Sequence, residues 1–382
     1  MPPRSSLETL EERVLPLIQY EGGDADANLR ERVFLWTLKR ISAVYRAVAQ
    51  TRLHLYKHDI FNRSHCGCLV VSVGNVTVGG TGKTPMVELL AKELIKEGRK
   101  VAILSRGYRS RPDPAQKNKP RVVSDGAGIL LDSEASGDEP FMLAANVPGA
   151  VVLVGKNRVD SGRLAIRRFG CDILLLDDGF QYHKFPHKST RDIVLIDANN
   201  PFGNGHCLPR GILREPAKNI SRAKYICITK VGGRDTTALR EKIKRLNPDA
   251  EIMECDHAPA CLVDAFTRER HDLGKLRGMK ALALSGIASP KNFEDTLRDL
   301  GVDIIETRRH ADHHRYTEQE TLDTVNAAKT FGCDAVITTE KDAVRMTLHT
   351  SPPVPVYYLR IEVKFRDGES TFRNFVHNII SP

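Results

Sequence analysis

Short apolar runs, punctuated by glycine, proline and charged residues, recur along this 382-residue chain. Runs at 68–73, 100–104, 120–123, 150–154, 171–177, 191–197 and 225–230 are rich in Val, Ile and Leu, with little polar alternation. That pattern predicts strands, and for the continuous run 171–177 a strand buried on both faces. Between them the apolar positions step by three and four, as at Met86, Leu89, Leu90 and Leu94, and predict helices. Further helices are expected around 141–145 and 159–168. The second half repeats the alternation, with a strand then a loop over 280–287, strands at 304–306, 334–339 and 354–359 and a helix at 290–300. Alternation in both halves predicts an α/β fold with mainly parallel sheets in two lobes. The connection 203–216, rich in glycine and proline, suggests a division into an N-terminal region 1–65, a domain 66–215 and a second lobe 216–382.

Ahead of this pattern, 29–56 reads as a long amphipathic helix. Phe34, Leu38, Ile41, Tyr45 and Val48 form one apolar face, and Arg30, Arg32, Lys39, Arg40, Arg46 and Arg52 make the remainder strongly basic. Such a helix fits an anionic membrane surface, and equally a domain surface with a solvated basic face. No apolar stretch is long enough to span a bilayer, and no signal peptide is evident.

Composition narrows the picture only slightly. Lys and Arg outnumber Asp and Glu by 57 to 48, a net charge of +9, which suits a polyanionic partner without choosing among nucleotide, phospholipid and nucleic acid. No RNP, zinc-finger or helix-turn-helix signature accompanies that charge, so a nucleic-acid partner is not expected. Eight scattered cysteines without paired C-x-x-C spacing read as reduced thiols.

The chemistry concentrates in 70–85, VVSVGNVTVGGTGKTP. A buried strand leads into a glycine-rich loop, and Lys83 and Thr84 open a helix. Small residues let successive backbone N–H groups face an anion, and the helix N-terminus adds positive charge. The lysine reaches the terminal phosphates and the threonine hydroxyl ligates Mg2+. The loop is a variant, because Thr77 stands where a glycine is usual. The run 171–177 ends in two acids, Asp177 and Asp178. An acid at the end of such a strand holds the magnesium of a bound nucleotide, and an exposed Asp-Asp-Gly turn is the weaker alternative. Arg106 closes the next strand at the edge where ligands of parallel sheets collect. Asp138 and Glu139 look like helix-start residues. The run from His310 to His314 reads as a proton-handling pair or a surface cluster; zinc ranks low, as no helical ligand spacing or cysteine partner supports it.

Taken together, these segments resemble the tetraacyldisaccharide 4'-kinase (lipid A 4'-kinase) family. The resemblance rests on 72–85, LSRGY at 104–108, GDEP at 137–140, LDDGFQ at 176–181, FGNG at 202–205, LREP at 213–216, LSGIA at 284–288, ADH at 311–313 and TEKD at 339–342. These segments run in family order over about residues 30–345, and Thr77 is itself the family pattern. Two departures stand out: Tyr182, then His183, where the family has a histidine directly after DDGFQ, and Arg210, where alanine is more usual.

The resemblance implies a P-loop NTPase-like fold of two α/β/α lobes facing a cleft, with an N-terminal amphipathic helix dipping into the bilayer. It implies transfer of a phosphoryl group from ATP, with Mg2+, to the 4'-hydroxyl of a lipid A disaccharide 1-phosphate. The enzyme would be a monotopic protein on the cytoplasmic face of the bacterial inner membrane, touching it through 29–56, and a monomer is expected. Nucleotide binding falls to Thr77, Val78, Gly79, Gly80, Thr81, Gly82, Lys83 and Thr84, and the metal to Thr84 and Asp177. Asp138 becomes the base, with His313 pairing from the other lobe and raising its basicity. Asp178 is a further helper for metal or hydroxyl. Asn75, Arg106 and Gln181 are candidates for lipid phosphate or sugar contacts. The alternative within enzymes is a P-loop NTPase that hydrolyses nucleotide without a lipid acceptor.

Overall fold

The structure, a computed structural model, describes residues 28–111, 114, 118–186, 190–346 and 351–380. Residues 1–27 of the expected N-terminal region, and parts of the basic loop expected at 109–119, lie outside the described residues. The chain divides into two compact units, 1–103 with 170–256 and 365–382, and 104–169 with 257–364. The expected boundary near 216 does not coincide with this division. Turn composition marks where a loop is, not which unit the next strand joins.

In the first unit the apolar run expected at 68–73 forms the strand Leu69–Asn75, buried along nearly all its length. It pairs in parallel with Ile173–Asp177 on one side and Thr190–Asp197 on the other. Tyr225–Thr229 and the start of Glu251–Asp264 extend the parallel order. The helix Lys83–Lys96 buries Met86, Val87, Leu90, Ala91 and Leu94. A helix that the sequence pattern did not announce, Glu369–Ile380, adds Phe372, Phe375, Val376 and Ile379 to this core, with the Phe375 ring 4.5 Å from that of Tyr225.

The helix Leu29–Lys57 also belongs to this unit. It opens with a reciprocal cap, in which Asn28 accepts from the Glu31 N–H and Glu31 accepts from the Asn28 N–H. It buries Leu35, Ser42 and Tyr56, and the Ser42 hydroxyl donates to the Cys207 carbonyl at 2.7 Å. The apolar face expected at Phe34, Ile41, Tyr45 and Val48 is not the packed one: all four are exposed, with Leu29, Val33, Trp36 and Val44.

Asp192, on the strand Thr190–Asp197, is the unusual acid of this unit. Burial pushes its carboxyl up to about 6, against the opposing influence of the Arg222 charge and the Ser72 hydroxyl. An acid raised on folding holds its proton more tightly in the folded state. Stability therefore falls as pH rises from about 4, the unfolded value, to about 6, and is flat above. Some two units at ~1.4 kcal/mol each set the effect at about 3 kcal/mol, less to the extent that water reaches this partly exposed side chain. Asp192→Asn is expected to remove the slope from a series of melting curves across that window; an unchanged slope would clear Asp192 of it.

In the second unit Lys280–Ser285 pairs in parallel with Asp303–Arg309 and with Ala335–Thr339, and Ala335–Thr339 pairs with Val356–Asp367. Arg121–Asp125 and Val151–Val154 form an antiparallel pair. Leu282, Leu284, Val325, Val336 and Val356 pack on one side, and Ala281, Phe293, Leu297, Ile337 and Leu359 form a separate cluster.

Candidate active site

In the first unit the parallel strands end together at the glycine loop. Gly74 is there for close approach: a Cβ at this position would sit 2.6 Å from Phe180 Cβ and 2.8 Å from the Phe180 nitrogen. That contact seats the turn bearing Asp177 and Asp178 against the base of the loop. Thr77 is buried and bridges to Leu213, and the Val78 N–H donates to the Ile212 carbonyl at 2.8 Å. Asn75 is fully buried, and its side-chain amide donates to the Thr81 hydroxyl at 3.0 Å. The Thr229 hydroxyl donates to the Thr81 carbonyl at 3.0 Å, and Gln181 donates to the Asn75 carbonyl at 2.7 Å and to Glu215 at 2.8 Å. The loop is thus braced from three neighbouring segments. Asn75, expected to touch lipid phosphate or sugar, has no surface to offer either. Gln181 is spent on the same brace.

The front of the loop is open. Gly82 takes the left-handed conformation at φ 84°, and no side chain caps the helix Lys83–Lys96 that follows. At Gly79 and Gly80 the space around a would-be Cβ is empty. Uncapped N–H groups at a helix start, behind a loop with no side chain at Gly79 and Gly80, form a cradle for phosphate. Asp177, 3% exposed, ends the strand Ile173–Asp177 opposite Val73, and Thr84 is buried in the first helical turn. A hydroxyl and a carboxylate are the hard oxygen donors that magnesium takes. The residues present therefore fit a magnesium–triphosphate complex.

Asp178 differs from its neighbour. It stands at φ 54°, partly exposed, with Lys83 Nζ at 3.7 Å and Arg214 Nη1 at 2.7 and 2.8 Å from its two oxygens. Arg214 belongs to the LREP segment, which the sequence marks without giving this arginine a role at the site. His183 is buried with its ring 5.8 Å from that of Tyr56. It packs against the end of the long helix.

The second unit holds a separate charged cluster. Asp138 begins the helix Asp138–Asn146, and its side chain is 11% exposed. Three groups converge on it: Arg345 Nε at 2.8 Å, Arg315 Nη2 at 3.0 Å and His313 Nδ1 at 3.4 Å. Arg345 is fully buried, and also donates to the Gly286 carbonyl and to Asp342. Asp342, with no exposed surface, accepts from the Gly286 N–H and the Thr339 and Tyr316 hydroxyls. It thereby fixes Arg345, and Arg345 fixes Asp138.

This geometry corrects two expectations. His313 does not reach Asp138 from another lobe, because both belong to the same unit. Nor is Asp138 made more basic. Burial pushes its carboxyl up, but the hydrogen bond with His313 and the charges of Arg345 and Arg315 together hold it below the usual carboxylate range. His313 Nδ1 also lies 3.1 Å from Arg345 Nη2. A guanidinium only donates, so the Nε2–H tautomer accepts from Arg345, whereas donation to Asp138 needs the proton on Nδ1. His313 is held at φ 67° by its N–H donating to the Gly286 carbonyl. Neither arginine was singled out from the sequence. Arg106, also in this unit, is exposed.

A glycine loop opening a helix, beside a parallel strand that ends in a carboxylate, defines a nucleotide-using enzyme of the P-loop class. Comparison with known proteins narrows that class. The profile of the family described as tetraacyldisaccharide-1-P 4'-kinase matches residues 34–381. A tetraacyldisaccharide 4'-kinase from Anaeromyxobacter sp. (strain Fw109-5) is 40% identical over 342 residues, covering 89% of this chain and 90% of the relative. One from Desulfatibacillum aliphaticivorans is 36% identical over 372 residues, covering 95% and 96%. The crystal structure of LpxK from Aquifex aeolicus in complex with ATP superposes with a TM-score of 0.72 at 26% identity, covering 91% of this chain and 99% of that one. The chain belongs to the tetraacyldisaccharide-1-P 4'-kinase family, and is an ATP-dependent kinase of lipid A biosynthesis.

Proposed function

We propose that this enzyme moves the γ-phosphoryl group of ATP to the 4'-hydroxyl of a tetraacyldisaccharide 1-phosphate, with Asp138 receiving the hydroxyl proton. The observation that carries the reading is the braced, open-fronted loop with Lys83 and Asp177 on adjoining elements. Bound MgATP supplies the transferable group and a metal charge over its oxygens. The N–H groups of Gly79, Gly80, Gly82, Lys83 and Thr84 would hold phosphate oxygens, and Lys83 Nζ would offset their charge. Thr84 and Asp177 supply oxygen to the metal. Asp178, shared by Lys83 and Arg214, sets where the Lys83 ammonium rests.

Asp138 orients the acceptor hydroxyl and takes its proton, while Arg345 and Arg315 keep it ionised. A carboxylate held below its ordinary range is a weak base. Phosphoryl transfer passes through a loose transition state, in which positioning outweighs basicity, so a well-placed weak base suffices. His313 positions Asp138 and carries one of the two protonation patterns described above. Addition of detergent-dispersed tetraacyldisaccharide 1-phosphate is expected to stimulate ATP consumption, with mass spectrometry showing one added phosphate on the lipid. Equal consumption without lipid would favour a bare nucleotide hydrolase.

The substrate's acyl chains bring the enzyme to the cytoplasmic face of the inner membrane, where 29–56 makes the contact. Among the described residues no helix is long and apolar enough to cross a membrane. The helix Leu29–Lys57 instead exposes Val33, Trp36, Ile41, Val44 and Val48 amid arginines, with Arg40 over the Trp36 ring at 5.0 Å. That mixture suits an interfacial helix. Trp36 is the only tryptophan, so its emission reports on this face alone. Vesicles containing phosphatidylglycerol are expected to shift that emission to the blue. Replacing Val44 and Val48 with aspartate removes about 1.5 kcal/mol of apolar burial at each, weakening vesicle binding on the order of 10²-fold. Unchanged emission would leave the helix without a membrane role.

A further inference from the structure

Beside the Asp138 cluster lies a second set of side chains that the phosphoryl-transfer reading does not use. His310, His314 and Glu320 each offer one ligand atom, all within 4.8 Å of one another. We propose that these three bind a zinc-like divalent cation, with a remaining position open to water. The inference is independent of the kinase reading.

The ligands are placed by backbone and by neighbours. The His310 N–H donates to the Ser285 carbonyl at 2.8 Å, and the His314 N–H to the Ala311 carbonyl at 3.0 Å, so the turn between the histidines is fixed at both ends. The two imidazoles lie nearly parallel, 4.5 Å apart and 22° between planes. The Tyr316 ring stands edge-on to both, at 5.1 and 5.0 Å, and walls the cluster from the core. Glu320 is oriented by its role at the helix start: Oε2 accepts from the Thr317 N–H at 2.8 Å and the Thr317 hydroxyl at 3.0 Å. Oε1 is turned to His314 Nε2, at 3.1 Å. A ligating carboxylate held through its other oxygen is the outer-shell support that metal sites use.

The distances suit a small tetrahedral ion. With bonds of about 2.0 Å, ligand atoms around zinc lie about 3.3 Å apart. His314 and Glu320 already stand near that spacing, and His310 joins them by turning its ring out of the stack, so that both nitrogen lone pairs, which lie in the ring planes, meet at one point. Two imidazoles and a carboxylate choose zinc over magnesium, which takes oxygen and retains water. Because His310 and His314 bracket His313, a bound ion would clamp the turn that presents His313 to Asp138.

The test uses the full chain, with thiols reduced, metal removed by a chelator, and magnesium present. Zinc chloride is expected to bind with one equivalent by competition with a chromophoric chelator. Cobalt substituted for it should show tetrahedral visible bands without thiolate charge transfer. His310→Ala is expected to weaken binding at least ~10-fold, and Glu320→Gln, which keeps an oxygen for Thr317, to do the same. Retention of zinc by both variants, a thiolate band from the cysteines, or no stoichiometric binding would each overturn the proposal.

Discussion

Replacing Lys83 with alanine is expected to lower phosphoryl transfer on the order of 10³-fold or more, the scale set by a preorganised charge at a transferring phosphate. The loss should fall on chemistry and not on folding. Lys83 is one of two cations on Asp178, and Arg214 remains at 2.7 Å when the lysine is gone. The carboxylate keeps a partner, and the helix Lys83–Lys96 keeps its buried face. Mass-spectrometric counting of phosphorylated lipid, alongside a melting curve, separates the two effects. Activity within tenfold of the parent enzyme would remove the glycine loop from the reaction.

Asp138→Asn is expected to cut turnover ~10²–10⁴-fold with ATP affinity kept. Asparagine is preferred to alanine because Asp138 answers two guanidiniums, one of them fully buried on Arg345. Stripping the acceptor as well as the charge would leave the buried Arg345 Nε–H unsatisfied, with Asp342 at 3.3 Å as the carboxylate still facing that guanidinium, a loss of about 1–3 kcal/mol. The pH dependence follows from the depressed carboxyl. Its contribution to stability is present above the unfolded value and fades as pH falls through the lower folded value. The acid limb of activity from this group accordingly lies below pH ~4, its unfolded value. Loss of ATP binding equal to the loss of turnover would make Asp138 a structural residue instead.

Much of this was legible in the chain. The strand Leu69–Asn75, the loop and the pair Asp177–Asp178 announce themselves because each is local: an apolar run, then small residues, then a charge. The partners of those residues are not local. Arg214 reaches Asp178, Arg345 reaches Asp138 across 207 positions, and Thr229 holds Thr81 across 148. No periodicity encodes such pairings, so neither the arginine that pairs with Asp178 nor the arginines that hold Asp138 ionised can be read from the sequence. Asn75 was misjudged for a related reason: a polar residue beside a ligand loop looks exposed in sequence, whereas here it lies beneath the loop. The strand Glu251–Asp264 escaped notice because Asp256, His257 and Pro259 break its apolar run. The helix Glu318–Thr330 did carry a signal, the Thr317–Glu320 capping box.

The chain crosses from one compact unit to the other at 103, 169, 256 and 364. Neither unit is therefore a contiguous piece of the gene. A polypeptide that stopped at 364 would surrender Phe372 and Phe375, both buried in the nucleotide-loop unit, although the segment lost, 365–382, is only 18 residues long. Ribosomal synthesis must pass the helix Glu369–Ile380 before the first unit can close its own interior, so termination upstream of that helix leaves the earliest-made part of the unit unsealed.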